Sequence, residues 1–130
     1  MDKEKKILLV DDEPDFIQLM KFWLESKGYS VITAGDGEAA VELAKKEEPN
    51  IILIDLRMPK MDGVEAIKKI REFDKNIPII IISAYVDDPK AAEAMKYGIS
   101  GIFCKHKDFQ EGLSLLESAL RVHKNLKHNT

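Results

Sequence analysis

Five short apolar runs alternate with amphipathic stretches from one end of the chain to the other, and this alternation narrows the fold more than any other feature. The runs are KILLV (Lys6 to Val10), YSVITA (Tyr29 to Ala34), IILI (Ile51 to Ile54), IPIIIIS (Ile77 to Ser83) and GIFC (Gly101 to Cys104). The first, third and fourth are nearly continuous in Ile, Leu and Val, as in strands covered on both faces; a one-sided sheet would alternate.

The intervening stretches carry helical spacing. Phe16, Leu19, Met20, Trp23 and Leu24 fall on one helical face, as do Ala40, Val41 and Ala44 more weakly, and Val64, Ile67 and Ile70. Pro89 to Lys96 is alanine-rich with Met95 as its expected anchor, and Leu113, Leu116 and Leu120 anchor a last helix running toward Leu126. Pro14 suits a first helical turn, Gly28 a helix C-terminus, and Asp62 before Gly63 a cap completed by Glu65. A capping role for Asp12 at the helix opened by Pro14 is compatible with this pattern. Five β/α pairs with short connections predict an α/β, flavodoxin-like, doubly wound (βα)5 sandwich. Its five-stranded parallel sheet has order 2-1-3-4-5, with helices on both faces.

In that order, functional groups gather at the carboxyl ends of the strands near the switch between the first and third. Asp11 and Asp12 close the first run and Asp55 closes the third. A bland reading makes Asp55 a turn residue, but the matching position of Asp11 and Asp12 brings like charges together, which calls for a cation. Mg2+ fits one or two carboxylates with phosphate oxygens and water, and Mn2+ is an alternative ion. With a metal in place, an Asp55 oxygen can attack a phosphorus atom held in line, giving an acyl phosphate. Lys105, after the fifth run, could reach the phosphoryl oxygens, and Ser83, ending the fourth, offers a hydroxyl. Their bland readings are a solvated loop lysine and an ordinary strand-ending serine.

The 130 residues, 45% hydrophobic, suit one domain with an adequate core. The expected layout is a polar segment 1–5, a unit at 6–123, and a polar tail or start of a linker at 124–130. A net charge of −3 speaks against a general nucleic-acid surface. No apolar run approaches the ~20 residues of a membrane span, and MDKEKK is too polar for a secretory signal. A single cysteine, Cys104, leaves no internal disulfide framework, so a cytoplasmic setting is expected.

LLVDDEP (Leu8 to Pro14), IILIDLRMPKMDG (Ile51 to Gly63), IIIISA (Ile79 to Ala84) and GIFCK (Gly101 to Lys105) occur in order, at spacings one fold explains. Together they resemble the receiver domain of bacterial-type two-component response regulators, over essentially the whole chain. The resemblance implies a phosphoprotein of signal transduction or phosphorelay: Asp55 takes phosphate from a histidine kinase or phosphotransfer protein's phosphohistidine, or more slowly from small phosphodonors. It implies metal ligation by Asp12, Asp55 and the Arg57 backbone carbonyl, with Asp11 acting mostly through water, and contacts from Ser83 and Lys105 to the phosphoryl group. It implies self-catalysed phosphotransfer and autodephosphorylation rather than enzymatic turnover. An output domain or partner protein would read the face of the fourth helix, fifth strand and fifth helix. A homodimer formed on phosphorylation is a further implied partner. Pro59 and Gly63 resemble residues that shape the loop after the acceptor.

Two positions depart from the family pattern. His106 stands where a proline joined by a cis peptide usually follows the lysine, and a non-proline cis bond costs ~2.5–4 kcal/mol. Ile102 stands where many members carry an aromatic that swings inward on activation, and alternation turns the neighbouring Phe103 to the opposite, core side. Arg57 and Tyr85, two residues after Asp55 and Ser83, match positions that flank the phosphoryl group, and their bulk predicts slow hydrolysis.

Cys104 is expected as a small buried residue, and Phe16, Met20 and Trp23 as core. Phe73 and Tyr97 could be core rims or partner contacts. Lys124, Lys127, His123 and His128 read as an exposed end without transition-metal spacing. Two other function classes remain at this level. A metal-dependent aspartyl-phosphate phosphohydrolase would need a general acid, for which only Asp62 is near. A constitutive protein-interaction module would have no need of the Asp12, Asp55, Ser83 and Lys105 set. No recognition helix remains for direct nucleic-acid binding.

Overall fold

A computed structural model of the chain describes residues 5–85, 87–105 and 107–128, the last five by backbone course alone. Strands and helices alternate strictly: β1 (Lys6–Val10), α1 (Pro14–Ser26), β2 (Ser30–Ala34), α2 (Gly37–Glu47), β3 (Ile51–Asp55), α3 (Gly63–Phe73), β4 (Ile79–Ser83), α4 (Pro89–Met95), β5 (Gly101–Cys104) and α5 (Phe109–His128). All strand pairs are parallel, in the order β2-β1-β3-β4-β5. This is the doubly wound sandwich expected from the run pattern.

The alternation of side chains along each strand builds two cores. Ile7, Leu9, Ile51, Leu53, Ile80, Ile82 and Phe103 pack with Met20 and Leu24 of α1 and Leu113 and Leu116 of α5. Leu8, Val10, Ile52, Ile54, Ile79 and Ile81 pack on the other face with Ala40 and Ala44 of α2, Ala66, Ile67 and Ile70 of α3, and Ala91 and Ala94 of α4. Burial of both faces explains why three strands read as continuous apolar runs. Among the described residues, no helix is long and apolar enough to cross a membrane.

Local chemistry sets most boundaries. Pro14 occupies the first helical turn of α1, and Gly28 takes φ +97 just past its end. Asp62 accepts a 2.9 Å hydrogen bond from the Glu65 amide and caps α3, as expected. The cap of α1 differs from expectation: Glu13, not Asp12, is the N-cap residue, and Asp11 Oδ1 accepts from the Glu13 amide at 2.9 Å. Strand pairing fixes β2 and β4 one and two residues later than the apolar runs begin.

Two anchors move. Met95 is 62% exposed, and the buried residues of α4 are Ala91 and Ala94, because a helix this short presents only one turn to the sheet. Leu19 is 59% exposed, while Ile17 packs on the α1 core. Cys104 is free and half-buried rather than fully buried, since β5 is the edge strand. The described peptide bonds are trans. The Lys105–His106 bond, and the side chains of Lys124, Lys127 and His128, lie outside the described residues.

Candidate functional site

The register of the sheet assembles the site. Val10 pairs with Ile54 and Asp55 with Ile82, so Asp11 lies one step beyond β1 beside the last residue of β3. Asp11 and Asp55 continue the rows Ile7–Leu9 and Ile51–Leu53, and Lys105 continues the row of Phe103. Residues two apart share a sheet face. All three therefore converge at one end of the sheet, on the side of α1 and α5.

One carboxylate oxygen from each of Asp11, Asp12 and Asp55 lies within 4.8 Å of the others. Asp11 is fully buried, Asp55 is 7% exposed, and Asp12 faces solvent. Burial pushes the Asp11 carboxyl above its ordinary range, more than Lys105 and the Glu13 amide pull it down. Burial also raises Asp55, against the opposing pull of Lys105 and the Arg57 amide. Asp11 Oδ2 is fully buried and lies 2.8 Å from Lys105 Nζ in an ion pair; among the described residues it has no further partner, so it keeps acceptor capacity. Three clustered carboxylates, one with such an oxygen, form a hard donor set that fits a divalent cation.

Lys105 holds this cluster together. Its side chain is 6% exposed, and Nζ reaches Glu13 Oε1 at 2.7 Å and Asp55 Oδ2 at 3.1 Å in addition to Asp11. Burial would lower its proton affinity, but the surrounding carboxylates win and raise it above the ordinary lysine value. The ammonium also stands over the Phe16 ring, 5.1 Å from its centroid.

Ser83 ends β4, buried, but its hydroxyl donates to the Tyr85 carbonyl at 2.7 Å and accepts from the Tyr85 amide at 3.1 Å. The structure thus places Ser83 at the site's edge with its hydroxyl committed to a turn. Arg57 donates its amide to Asp55 Oδ1 at 3.3 Å, while its guanidinium grips Asp88 at the N-cap of α4. That pair holds the Asp88 carboxyl below its usual range. Asp62, besides capping α3, pairs with Lys90 at 2.8 Å. Tyr85 is 66% exposed.

The loop between β3 and α3 is shaped by Gly63. A β-carbon there would stand 2.2 Å from the Asp55 carbonyl oxygen and 2.8 Å from the Leu56 α-carbon, so only glycine lets α3 start this close to the end of β3. Pro59 is exposed, and its carbonyl accepts from the Met61 amide at 2.8 Å.

Sequence reasoning missed Glu13, Phe16, Asp88 and Lys90 as neighbours of the site residues. Phe16 was visible only as a core aromatic. The other three are ordinary charged residues whose partners lie tens of positions away.

The model of the response regulator receiver domain matches residues 7–117. The sporulation initiation phosphotransferase F of Bacillus subtilis is 32% identical over 125 residues, covering 96% of this chain and 98% of that protein. The alkaline phosphatase synthesis transcriptional regulatory protein PhoP of the same organism is 45% identical over 80 residues, 62% of this chain and 33% of that one. The chain spans a third or less of the length of several transcriptional regulators it matches. Among solved structures, the CheX-CheY-BeF3-Mg+2 complex from Borrelia burgdorferi superposes with a TM-score of 0.82 at 32% identity, covering 88% of this chain and 87% of that one. The chain belongs to the response regulator receiver domain family and is a signalling domain that accepts phosphate on aspartate.

Proposed function

We propose that Asp55 is the phosphoacceptor, charged from the phosphohistidine of a histidine kinase or phosphotransfer protein, or from a small phosphodonor, in a Mg2+-dependent reaction. The observation that carries this is the position of Asp55. It is buried at the end of β3, grouped with Asp11 and Asp12, and 3.1 Å from the Lys105 ammonium. An Asp55 oxygen forms the new O–P bond as the P–N bond breaks, and the departing electron pair goes to the imidazole nitrogen, which takes up a proton. Asp12, Asp55 and the Arg57 carbonyl would hold the cation directly, with Asp11 through water. When bound, the ion supplies positive charge to the phosphoryl oxygens and relieves the repulsion among the carboxylates. Mn2+ fits the same oxygen donors. Lys105, 3.1 Å from Asp55 Oδ2, would neutralise charge on the transferred group, and Ser83 would donate its hydroxyl to it by giving up the Tyr85 carbonyl.

That exchange ties the chemistry to a surface. Ser83 lies at the foot of the loop leading to α4, and Tyr85, Ile102, Lys107, Glu111 and Leu115 border a groove of about 500 Å³ across β5 and α5. Ile102 is 43% exposed there, an apolar side chain left for a protein partner. An output domain or partner protein reads this face, and a second phosphorylated copy is the other candidate occupant. The receiver unit is residues 6–123, with 1–5 and 124–130 as flanking segments, and the setting is cytoplasmic.

Radiolabelled acetyl phosphate tests the acceptor. One phosphate per chain, dependent on Mg2+ and abolished in D55N, supports it. Multiple turnovers of phosphomonoesters would instead favour a phosphohydrolase, and absence of labelling together with absence of beryllofluoride binding would leave a constitutive interaction module.

A further inference from the structure

Glu13 is an unusual helix N-cap. The position favours short side chains that turn back onto the first turn, and Glu13 makes no such capping bond. Its amide is taken by Asp11 Oδ1, its carbonyl accepts from Ile17, and its carboxylate extends to Lys105, 92 residues away, in a 2.7 Å bond, the shortest of that lysine's three ionic contacts. One turn along α1, Phe16 places its ring under the same ammonium. The ring is fixed in turn: it meets Phe109 edge-on at 6.1 Å, and Phe109 packs against Trp23 and Phe103 at 5.6 and 6.2 Å.

We propose that Glu13 and Phe16 form a seat for the Lys105 ammonium, positioning it beside Asp55 for phosphoryl transfer. This rests on Asp55 being the acceptor. Lysine is a compact charge on a flexible four-carbon stem, so it needs partners to stay in one place. Asp11 and Asp55 are poor permanent partners, because both belong to the carboxylate group that fits a cation, and two like charges compete for it. Glu13 stands outside that group, and Phe16 attracts the ammonium through its ring face without offering a ligand oxygen. Their hold on Lys105 therefore does not depend on what the three aspartates bind. Glu13 and Phe16 touch neither the acceptor nor the arriving group; they act through Lys105.

Two measurements on the full chain test this. The first is the NMR signal of the Lys105 ammonium, identified by its loss in K105R and followed with and without Mg2+. The second is the labelling rate with acetyl phosphate, taken to saturation. E13Q and F16L should each shift or broaden the ammonium signal and slow labelling at saturation roughly three- to tenfold. E13D and F16W should retain more of both than E13Q and F16L. D15N, which removes a nearby exposed charge on α1, separates simple repulsion of the donor, because repulsion appears in the apparent KM. An ammonium signal unchanged in E13Q and F16L overturns the seat, as does faster labelling in E13Q matching that in D15N. So does an E13D that behaves no better than E13Q. Failure of the wild-type chain to be labelled overturns the acceptor assignment instead, while the ammonium signal still reports on the seat.

Discussion

Arg57 holds Asp88 through two hydrogen bonds, Nε to Oδ2 at 2.9 Å and Nη2 to Oδ1 at 2.8 Å, tying the loop after β3 to the N-cap of α4. The planar guanidinium matches a carboxylate in this two-point way, and lysine could not reproduce it. Phosphate on Asp55 would meet an arginine already committed to a neighbour.

Releasing that arginine should change the lifetime of the phosphorylated state. D88N weakens the grip and leaves the guanidinium available to shield the phosphoryl group from water. The half-life of the phosphoprotein should lengthen roughly two- to fivefold in D88N, by the usual size of one charge-assisted contact. R57A in the D88N background should abolish the gain. Decay of radiolabel after donor removal measures both, and an unchanged half-life in D88N would show that Arg57 does not reach the site.

Replacing Asp11 by asparagine should stabilise the metal-free chain. Burial raises the folded-state value of Asp11 above 3.8, so between those two values the native chain binds more protons than the unfolded one. Stability then falls as pH rises through that window, and at neutral pH the full penalty is in force. D11N removes the penalty while Lys105 keeps Glu13 and Asp55. A gain of roughly 1 kcal/mol at pH 7 is expected in urea unfolding. Added Mg2+ should stabilise the wild type more than D11N and narrow the difference.

Asp62 should behave with the opposite sign. Its bonds to Lys90 and to the Glu65 and Val64 amides outweigh desolvation and lower its value below 3.8. Its contribution is present above 3.8 and lost as pH falls through the lowered value. D62A should cost about 1 kcal/mol at neutral pH, mostly the helix cap, with D62N costing less. The gap between wild type and D62A should close in unfolding curves taken progressively below pH 4.

G63A should be severe. The added carbon meets the backbone of Asp55 and Leu56, which cannot swing aside as a flexible side chain could. A loss of about 3 kcal/mol or more is expected from overpacking against fixed backbone. Labelling should fall with it, since the obstructed residue is Asp55, the proposed acceptor.

The aspartates show how much of the site the sequence carries on its own. Continuous apolar runs marked strands buried on both faces, and Asp11, Asp12 and Asp55 at their ends followed from the carboxyl-edge rule for open α/β sheets. Pro14, Gly28 and Asp62 spoke as local signals for helix ends. Met95 failed as the anchor of α4 because one stripe of a seven-residue helix holds too few positions for periodicity to choose among them.

The sequence by itself determined the strands, their winding, the Asp62 cap of α3 and the convergence of acidic side chains, because those depend on spacing and on bonds between near neighbours. Only the tertiary structure decided which charge meets which. Lys105 finds Glu13 across 92 positions, Arg57 finds Asp88 across 31, and Ser83 turns to Tyr85 rather than to the carboxylates. Such pairings depend on rotamers and on the distance between elements after packing, and no periodicity encodes them.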